Sequence, residues 1–414
     1  MVGTTWSVGP FGLDGATRST WSPQRTVLVV IHHLTAGTRL ADVVPLLESD
    51  PRLQIAYTVP PTSPFHQSGS DYARSLDGLV LPWDQATSLR FDLAVAAHHG
   101  GLDRLHAPVL TLHHGCGPTK LVPQGMGHGP RTPREVTGAV VGSLISYGRV
   151  VPSVIGLGHE RHRALLARAV PAAADIARVV GDPCFDRITA SLPRRDTYRR
   201  ALGVVTDQRL IVVSSTFRPH SLLGRHPQLP AWLSAELDPQ RFRVVVVPHP
   251  GTWAWHGRRQ VRAWLNPAPG ADVGLIPPEE GWRAAVVASD LVIGDHGSVT
   301  YYAAASGRPV LLGTFPTEDV DPASHVALLG MTAPRLVAEA SLPAQVDAAI
   351  AAHVPDRTDW YRDMLTSAPG RSARLLRTTM YEMLDLPEPD TPVRTHPVPP
   401  PHLVSGEQSR GRAA

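Results

Sequence analysis

Short, near-continuously apolar runs rich in β-branched residues recur along the chain, and helix-like stretches separate them. In the first half they fall at residues 26–31, 53–59, 79–81, 93–97 and 109–112. In the second they fall at 210–214, 242–247, 273–276, 291–294 and 309–312. A strand apolar along its whole length is buried on both faces, and strands alternating with helices build a parallel sheet with helical covers. Helices are expected at 40–48, at 164–178 with an interruption at Pro171, and at 231–237, 282–288, 299–305 and 343–352. A late pair follows at 358–366 and 371–384, broken by Pro369-Gly370. The last of these places Leu376, Met380, Met383 and Leu384 on one face at helical spacing.

The 414 residues therefore read as an irregular lead-in over 1–25 and two α/β units over 26–180 and 181–355. Closing helices over 356–386 and a Pro-rich, disordered tail over 387–414 complete the chain. Formal net charge is only +3, from 39 basic and 36 acidic residues, which argues against a whole-surface nucleic-acid footprint. Two cysteines, Cys116 and Cys184, are too few for a disulfide scaffold or a cysteine-built metal site and suit a reducing, cytoplasmic setting. No signal-peptide pattern opens the sequence. The most apolar stretch, 138–158, carries Arg149 and Pro152 near its centre, so a transmembrane span is rejected and a peripheral membrane contact is the expectation retained.

Chemistry-bearing residues collect at the predicted strand ends. His32-His33, His98-His99 and His113-His114 each follow a strand of the first unit. In an open parallel sheet the carboxyl ends of the strands carry the ligand site, so all three pairs should open onto one edge. Two of the pairs run straight into glycine, Gly100-Gly101 and Gly115-Cys116-Gly117, which lets backbone approach a ligand closely. Imidazoles titrating near neutrality suit acid–base or phosphate work better than a metal here, because no His-x-x-x-His helix accompanies them. His114 is the expected base and His99 its alternative, whereas His113 should point to the other face. His33, Gly100, Gly115 and Lys120, the only lysine in the chain, complete the loops at this edge.

In the second unit, Asp295-His296-Gly297-Ser298-Val299 turns from a buried strand into a helix. Ser298 is the expected N-cap, and the exposed N–H groups behind it form an anion site reinforced by the helix dipole. His249-Pro250 ends another strand at the same edge.

These residues resemble the CDP-glycerol glycerophosphotransferase (teichoic-acid polymerase-like) family, within the wider group of GT-B glycosyltransferases and UDP-GlcNAc 2-epimerases. His114-Gly115-Cys116-Gly117-Pro118-Thr119-Lys120 is similar to the family's His-Gly-Thr-Pro-Leu-Lys, with one residue more before the lysine. Gly181-Asp182-Pro183-Cys184-Phe185-Asp186 resembles its Gly-x-Pro-Arg-x-Asp, with Cys184 in place of arginine. Pro248-His249-Pro250 matches a strand ending in His-Pro. Residues 288–299, continued by Gly307-Arg308-Pro309-Val310, resemble Ala-Asp-x-Leu-Ile-Thr-Asp-Tyr-Ser-Ser.

The resemblance implies a GT-B-like α/β fold, with two Rossmann-like domains facing across a cleft and C-terminal helices crossing back to the first. It implies a metal-independent cell-envelope transferase without a cofactor, moving a glycerophosphate-like or glycosyl group from a nucleotide-diphosphate donor to an acceptor hydroxyl. His114 would then be the base, while His249, Asp295, His296, Gly297, Ser298 and Val299 would hold the diphosphate. The alternatives are a nucleotide-sugar epimerase or hydrolase, which needs paired carboxylates and has Asp92, Asp295 and Glu160 as candidates, and a non-catalytic binding protein of the same fold.

Overall fold

The computed structural model describes residues 6–11, 15–123, 134–265 and 273–404. The apolar runs form strands β1 (Arg25–Val30), β2 (Leu53–Thr58), β3 (Val80–Leu81), β4 (Leu93–Ala96) and β5 (Val109–Leu112). A small antiparallel hairpin, β6 (Ile145–Ser146) and β7 (Arg149–Val150), precedes β8 (Val154–Leu157) and β9 (Ala177–Val179). The first sheet is wholly parallel, in the order β3-β2-β1-β4-β5-β8-β9. Its direction of winding reverses between β1 and β4, the point where a ligand crevice opens at the carboxyl ends.

The second sheet comprises β10 (Arg209–Ser215), β11 (Phe242–Pro248), β12 (Val273–Leu275), β13 (Leu291–Gly294) and β14 (Val310–Leu312), in the order β12-β11-β10-β13-β14. It too is parallel and reverses at its first strand, β10. Each sheet is thus Rossmann-like, with core strands such as Val27–Val30 and Leu291–Ile293 at or near zero exposure.

The chain divides into two compact units. One takes Met1–Arg187, Glu318–His325 and Asp363–Thr395; the other takes Ile188–Thr317, Val326–Arg362 and His396–Ala414. The boundary thus falls after Arg187 rather than at 181, and the segment Glu318–His325 returns to the first unit. The final helix, Ser372–Leu384, also belongs to the first unit. Its Leu376, Met380, Tyr381 and Leu384 enter one core with Val27, Val29, Leu93 and Leu110.

Three expectations are corrected. The apolar stretch 138–158, rejected above as a transmembrane span, ends in β8, a strand buried on both faces. β9 replaces the end of the expected helix 164–178. The helix stops at Ala169, because Pro171 cannot donate to its ladder, and a 3-10 turn leads into the strand. The helix expected at 40–48 is instead Leu34–Leu40 followed by a 3-10 turn, Val44–Leu46, around Pro45.

The Pro-rich tail is not disordered over 387–404. Val398 is fully buried, donating its N–H to Ser191 Oγ (2.9 Å) and accepting from the Tyr198 hydroxyl (2.7 Å). Further on, Val404 N–H donates to the Leu275 carbonyl (2.8 Å) at the edge strand β12. Proline-rich backbone is pre-extended and loses little entropy on docking, which composition alone does not reveal. Residues 405–414 lie outside the described residues. Among those described, no helix is long and apolar enough to cross a membrane.

Candidate active site

Three of the strands flanking the first reversal point end in histidine pairs, and the fold draws five of the six rings into one cluster. His98 stands at its centre, with ring centroids 4.8 Å from His32, 5.3 Å from His33, 6.2 Å from His114 and 6.4 Å from His99. His33 meets His114 edge-on at 5.1 Å. Burial is the chief force on His32, His98 and His99, and repulsion between the rings adds to it. The pKa falls to about 4 for His32 and His99 and to about 2 for His98. Near neutral pH these three rings are uncharged.

His114 is the ring whose proton is best placed. Its Nδ1–H donates to the Ala97 carbonyl at 2.8 Å, which leaves Nε2 as the basic nitrogen. Burial lowers its pKa from the usual value against that hydrogen bond, and the Arg39 and Lys120 charges push the same way as burial. The other members are differently employed. His32 Nε2 donates to the Gly100 carbonyl (2.7 Å), and His33 caps the helix Leu34–Leu40 by accepting from Ala36 N–H. His98 Nδ1 accepts from Gly100 N–H, and His99 Nδ1 is buried with no hydrogen-bond partner among the described residues.

The loops behave as backbone approaches. Gly115 and Gly117 both have positive φ, and a Cβ on Gly117 would lie 2.6 Å from the His162 ring. At Gly100 a Cβ would lie 2.6 Å from Thr62 Oγ1. Lys120 pairs in an isolated antiparallel bridge with Val320, and its carbonyl accepts from Thr137 N–H.

His113 leaves this cluster, as strand alternation requires. It faces Gly138, where a Cβ would sit 2.3 Å from its ring, and burial pushes its pKa down. A second group of rings lies beneath the loop. His162 lies tilted against His325 at 5.7 Å and against His159 at 6.1 Å, and burial lowers both His162 and His325 to about 3. Sequence reasoning missed this group and also Arg39. The buried Arg39 guanidinium bonds the Gly115 carbonyl (2.7 Å) and Asp182 (2.9 Å), pinning the His114 loop to the end of the first sheet. A lone arginine in the apolar stretch Leu34–Val44 was the available signal. Among the described residues, no group of three or more His, Cys, Asp or Glu is arranged to hold a metal ion.

In the second unit the turn after β13 is organised by Asp295, which has zero exposure. One carboxylate oxygen accepts from Thr216 N–H, Thr216 Oγ1–H and Leu222 N–H (2.8, 2.8 and 2.9 Å), and the other from Gly297 N–H (3.0 Å). Its expected part in holding phosphate is therefore corrected. A carboxylate saturated by four donors is a scaffold, and it locks the loop after β10 to the loop after β13. His296 is likewise buried, edge-on to Phe315.

The N-cap is Gly297, not Ser298. Ser298 occupies the first helical position of Ser298–Ala305, and no side chain caps the turn. Glycine is required at 297, since a Cβ there would lie 2.6 Å from Thr216 Cγ2. Ser298 and Val299 remain partly exposed at the helix start, where N–H groups and dipole favour an anion. His249 caps the helix Pro250–His256, its Nδ1 accepting from Gly251 N–H at 2.9 Å, so the neutral ring carries its proton on Nε2.

No protein-family model matches the sequence, and no curated protein is significantly similar to it. Solved structures do match. The wall teichoic acid polymerase TagF superposes with a TM-score of 0.57 at 12% identity, covering 88% of this chain and 90% of that one. The fold is GT-B-like. A TagF variant soaked with CDPG gives 0.57 at 13% identity, covering 88% and 90% of the two chains. The S. aureus MnaA-UDP co-structure gives 0.49 at 13% identity, covering 87% and 97%.

Within the GT-B-like chain the three carboxylates considered for epimerase or hydrolase chemistry are dispersed. Asp92 precedes β4 and accepts from Thr26 N–H and Oγ1–H at the amino edge of the first sheet. Asp295 is saturated, and Glu160 is exposed on the helix Glu160–Ala169 beside Arg163.

Proposed function

We propose that this protein is a transferase that uses a nucleotide-diphosphate-linked donor and moves a glycerophosphate-like or glycosyl group to an acceptor hydroxyl. The observation that carries the reading is the orientation of His114, an imidazole whose Nδ1–H is fixed on a backbone carbonyl and whose Nε2 is left basic beside the uncharged His98 ring. His114 Nε2 takes the acceptor proton as the hydroxyl oxygen attacks, and the electron pair of the breaking bond departs with the nucleotide. In the second unit, the N–H groups of Ser298 and Val299, the dipole of their helix and His249 Nε2–H suit the negative charge of a nucleotide diphosphate. Lys120 and the glycine loops at Gly100 and Gly115 line the acceptor side. TagF, soaked with CDPG in one structure, lends the donor class its support through the shared fold.

These groups need no metal, and we propose a reaction without one and without a further cofactor. The test offers CDP-, UDP-, GDP- and dTDP-linked compounds with glycerol and sugar acceptors and measures nucleotide release with and without EDTA. Release from one nucleotide class, dependent on acceptor and unchanged by EDTA, is the expected result. Release from none, or its loss in EDTA, contradicts the reading.

A further inference from the structure

Gly307-Arg308-Pro309-Val310 takes no part in the transferase reading. Arg308 precedes β14 and so stands at the amino edge of the second sheet, whereas Ser298 and Val299 follow the parallel strand β13 at its carboxyl edge. The Arg308 Nε is shut off from solvent and has no hydrogen-bond partner, and no carboxylate among the described residues forms an ion pair with the guanidinium. Arginine stays charged in proteins, and a charge withdrawn from water without a partner is costly. Burial pushes the Arg308 pKa down, the Arg195 charge adds to that, and Asp290 opposes it. Asp290 is committed elsewhere. It pairs with Arg195 and Arg199, both at 2.7 Å, and accepts from Leu210 N–H at 2.7 Å.

Arg308 lines a cavity of about 60 Å³ together with Arg357, His353 and Thr358, and no aspartate or glutamate belongs to the lining. Arg357 donates to the Thr332 carbonyl at 3.3 Å and likewise forms no ion pair among the described residues. Asp356, beside it in sequence, is exposed and outside the lining, and Asp359 on the same helix is held by Arg362 at 2.8 Å. Burial lowers the His353 pKa and the Arg308 charge adds to it, so near neutral pH the ring is uncharged and offers one N–H donor. Two guanidiniums around a hollow without carboxylates give it positive potential.

Size narrows the ligand. The cavity matches about two waters' worth of liquid and falls far short of the roughly 300–1,000 Å³ that encloses an organic molecule. It admits a group the size of a phosphoryl and excludes a nucleotide or a sugar. The planar guanidinium fork matches pairs of phosphate oxygens, and a dianion answers two cations. We propose that Arg308 and Arg357 hold a phosphate-class oxyanion in this cavity, at the sheet edge opposite the proposed donor site. Its source is free phosphate or the terminal phosphoryl of a small monoester. The proposal does not rest on the transferase reading.

Full-length wild type, Arg308→Met, Arg357→Gln and Ser298→Pro are titrated calorimetrically with inorganic phosphate at constant ionic strength, and in a second arm with glycerol 3-phosphate. Saturable binding of phosphate by the wild type is expected, retained in Ser298→Pro, weakened in Arg357→Gln and about tenfold or more weaker in Arg308→Met. Binding of both ligands assigns the phosphoryl group, and binding of phosphate alone assigns the free ion. Melting temperatures add a readout that a structural arginine would not give. Without phosphate, Arg308→Met should melt at or above the wild-type temperature, because the change removes a shielded, unpaired charge. Phosphate should raise the wild-type melting temperature and leave that variant's unchanged. No saturable binding by the wild type, unchanged affinity in both arginine variants, or loss confined to Ser298→Pro overturns the proposal. So does an Arg308→Met protein that melts well below the wild type in the absence of phosphate. Arg357 is exposed, so its variant decides the matter even where Arg308→Met fails to fold.

Discussion

At the scale of single residues the account rests on a proton. Nε2 of His114 accepts one only while the ring is neutral, and burial holds its pKa below the ordinary imidazole value. Turnover should therefore stay level as pH falls to about 6.5 and decline only below it, since the folded ring protonates at a lower pH than a free histidine. Replacing His114 with Gln should lower the rate by roughly 10²–10⁴-fold, the usual worth of a positioned base, and abolish that acidic limb. A pH profile of turnover for the two proteins at saturating substrates checks this. A His114→Gln enzyme with most of the wild-type rate and the same limb would move the base elsewhere, first to His99. The same burial sets an acid floor for the fold. His32 protonates near 6.5 when unfolded but near 4 in place, so the stability it contributes is complete above 6.5 and is lost as pH falls toward 4. The limb is accordingly read above that floor.

At the scale of elements, the turn after β13 shows why a motif's most polar residue need not be its functional one. Asp295 satisfies four donors inside the second unit, three of them from the loop after β10. Asp295→Asn retains the size but replaces one acceptor oxygen with an NH2 facing N–H groups. A loss of about 3 kcal/mol or more is expected, read from the urea midpoint of unfolding. A change under about 0.5 kcal/mol would contradict the scaffold role. The strand–turn–helix grammar of 291–305 was legible because periodicity and glycine speak locally. That Gly297 rather than Ser298 caps the helix was not, since Thr216, some eighty residues earlier, crowds the position. Convergence of the histidine pairs was legible from strand ends and the rule for parallel sheets. The second imidazole group at His162 and His325 was not, because it depends on Glu318–His325 returning to the first unit. The tail failed for a related reason. Its composition signals disorder, but its place is set by Tyr198, Ser191 and the open edge of β12, which no local pattern encodes.

At the scale of the whole molecule, two Rossmann-like sheets each present a chemically distinct carboxyl edge, one of imidazoles and one of helix starts. We propose that the second edge holds a nucleotide diphosphate. Ser298→Pro isolates it. Proline is well accommodated at a first helical position, and Gly297 before it already has the extended backbone that proline demands of its predecessor (φ −81°, ψ 157°). The substitution should therefore preserve the helix while deleting one N–H and one hydroxyl. A hydrogen bond to a charged group is worth about 1.5–3 kcal/mol, which corresponds to roughly 10- to 100-fold in affinity. The decisive measurement is calorimetric titration of wild type and Ser298→Pro with CDP, UDP, GDP and dTDP. Wild type should bind at least one of them, and the variant, folded as judged by its circular dichroism, should bind it at least tenfold more weakly. Binding of none by the wild type, or equal affinity in the two proteins, would contradict the proposal.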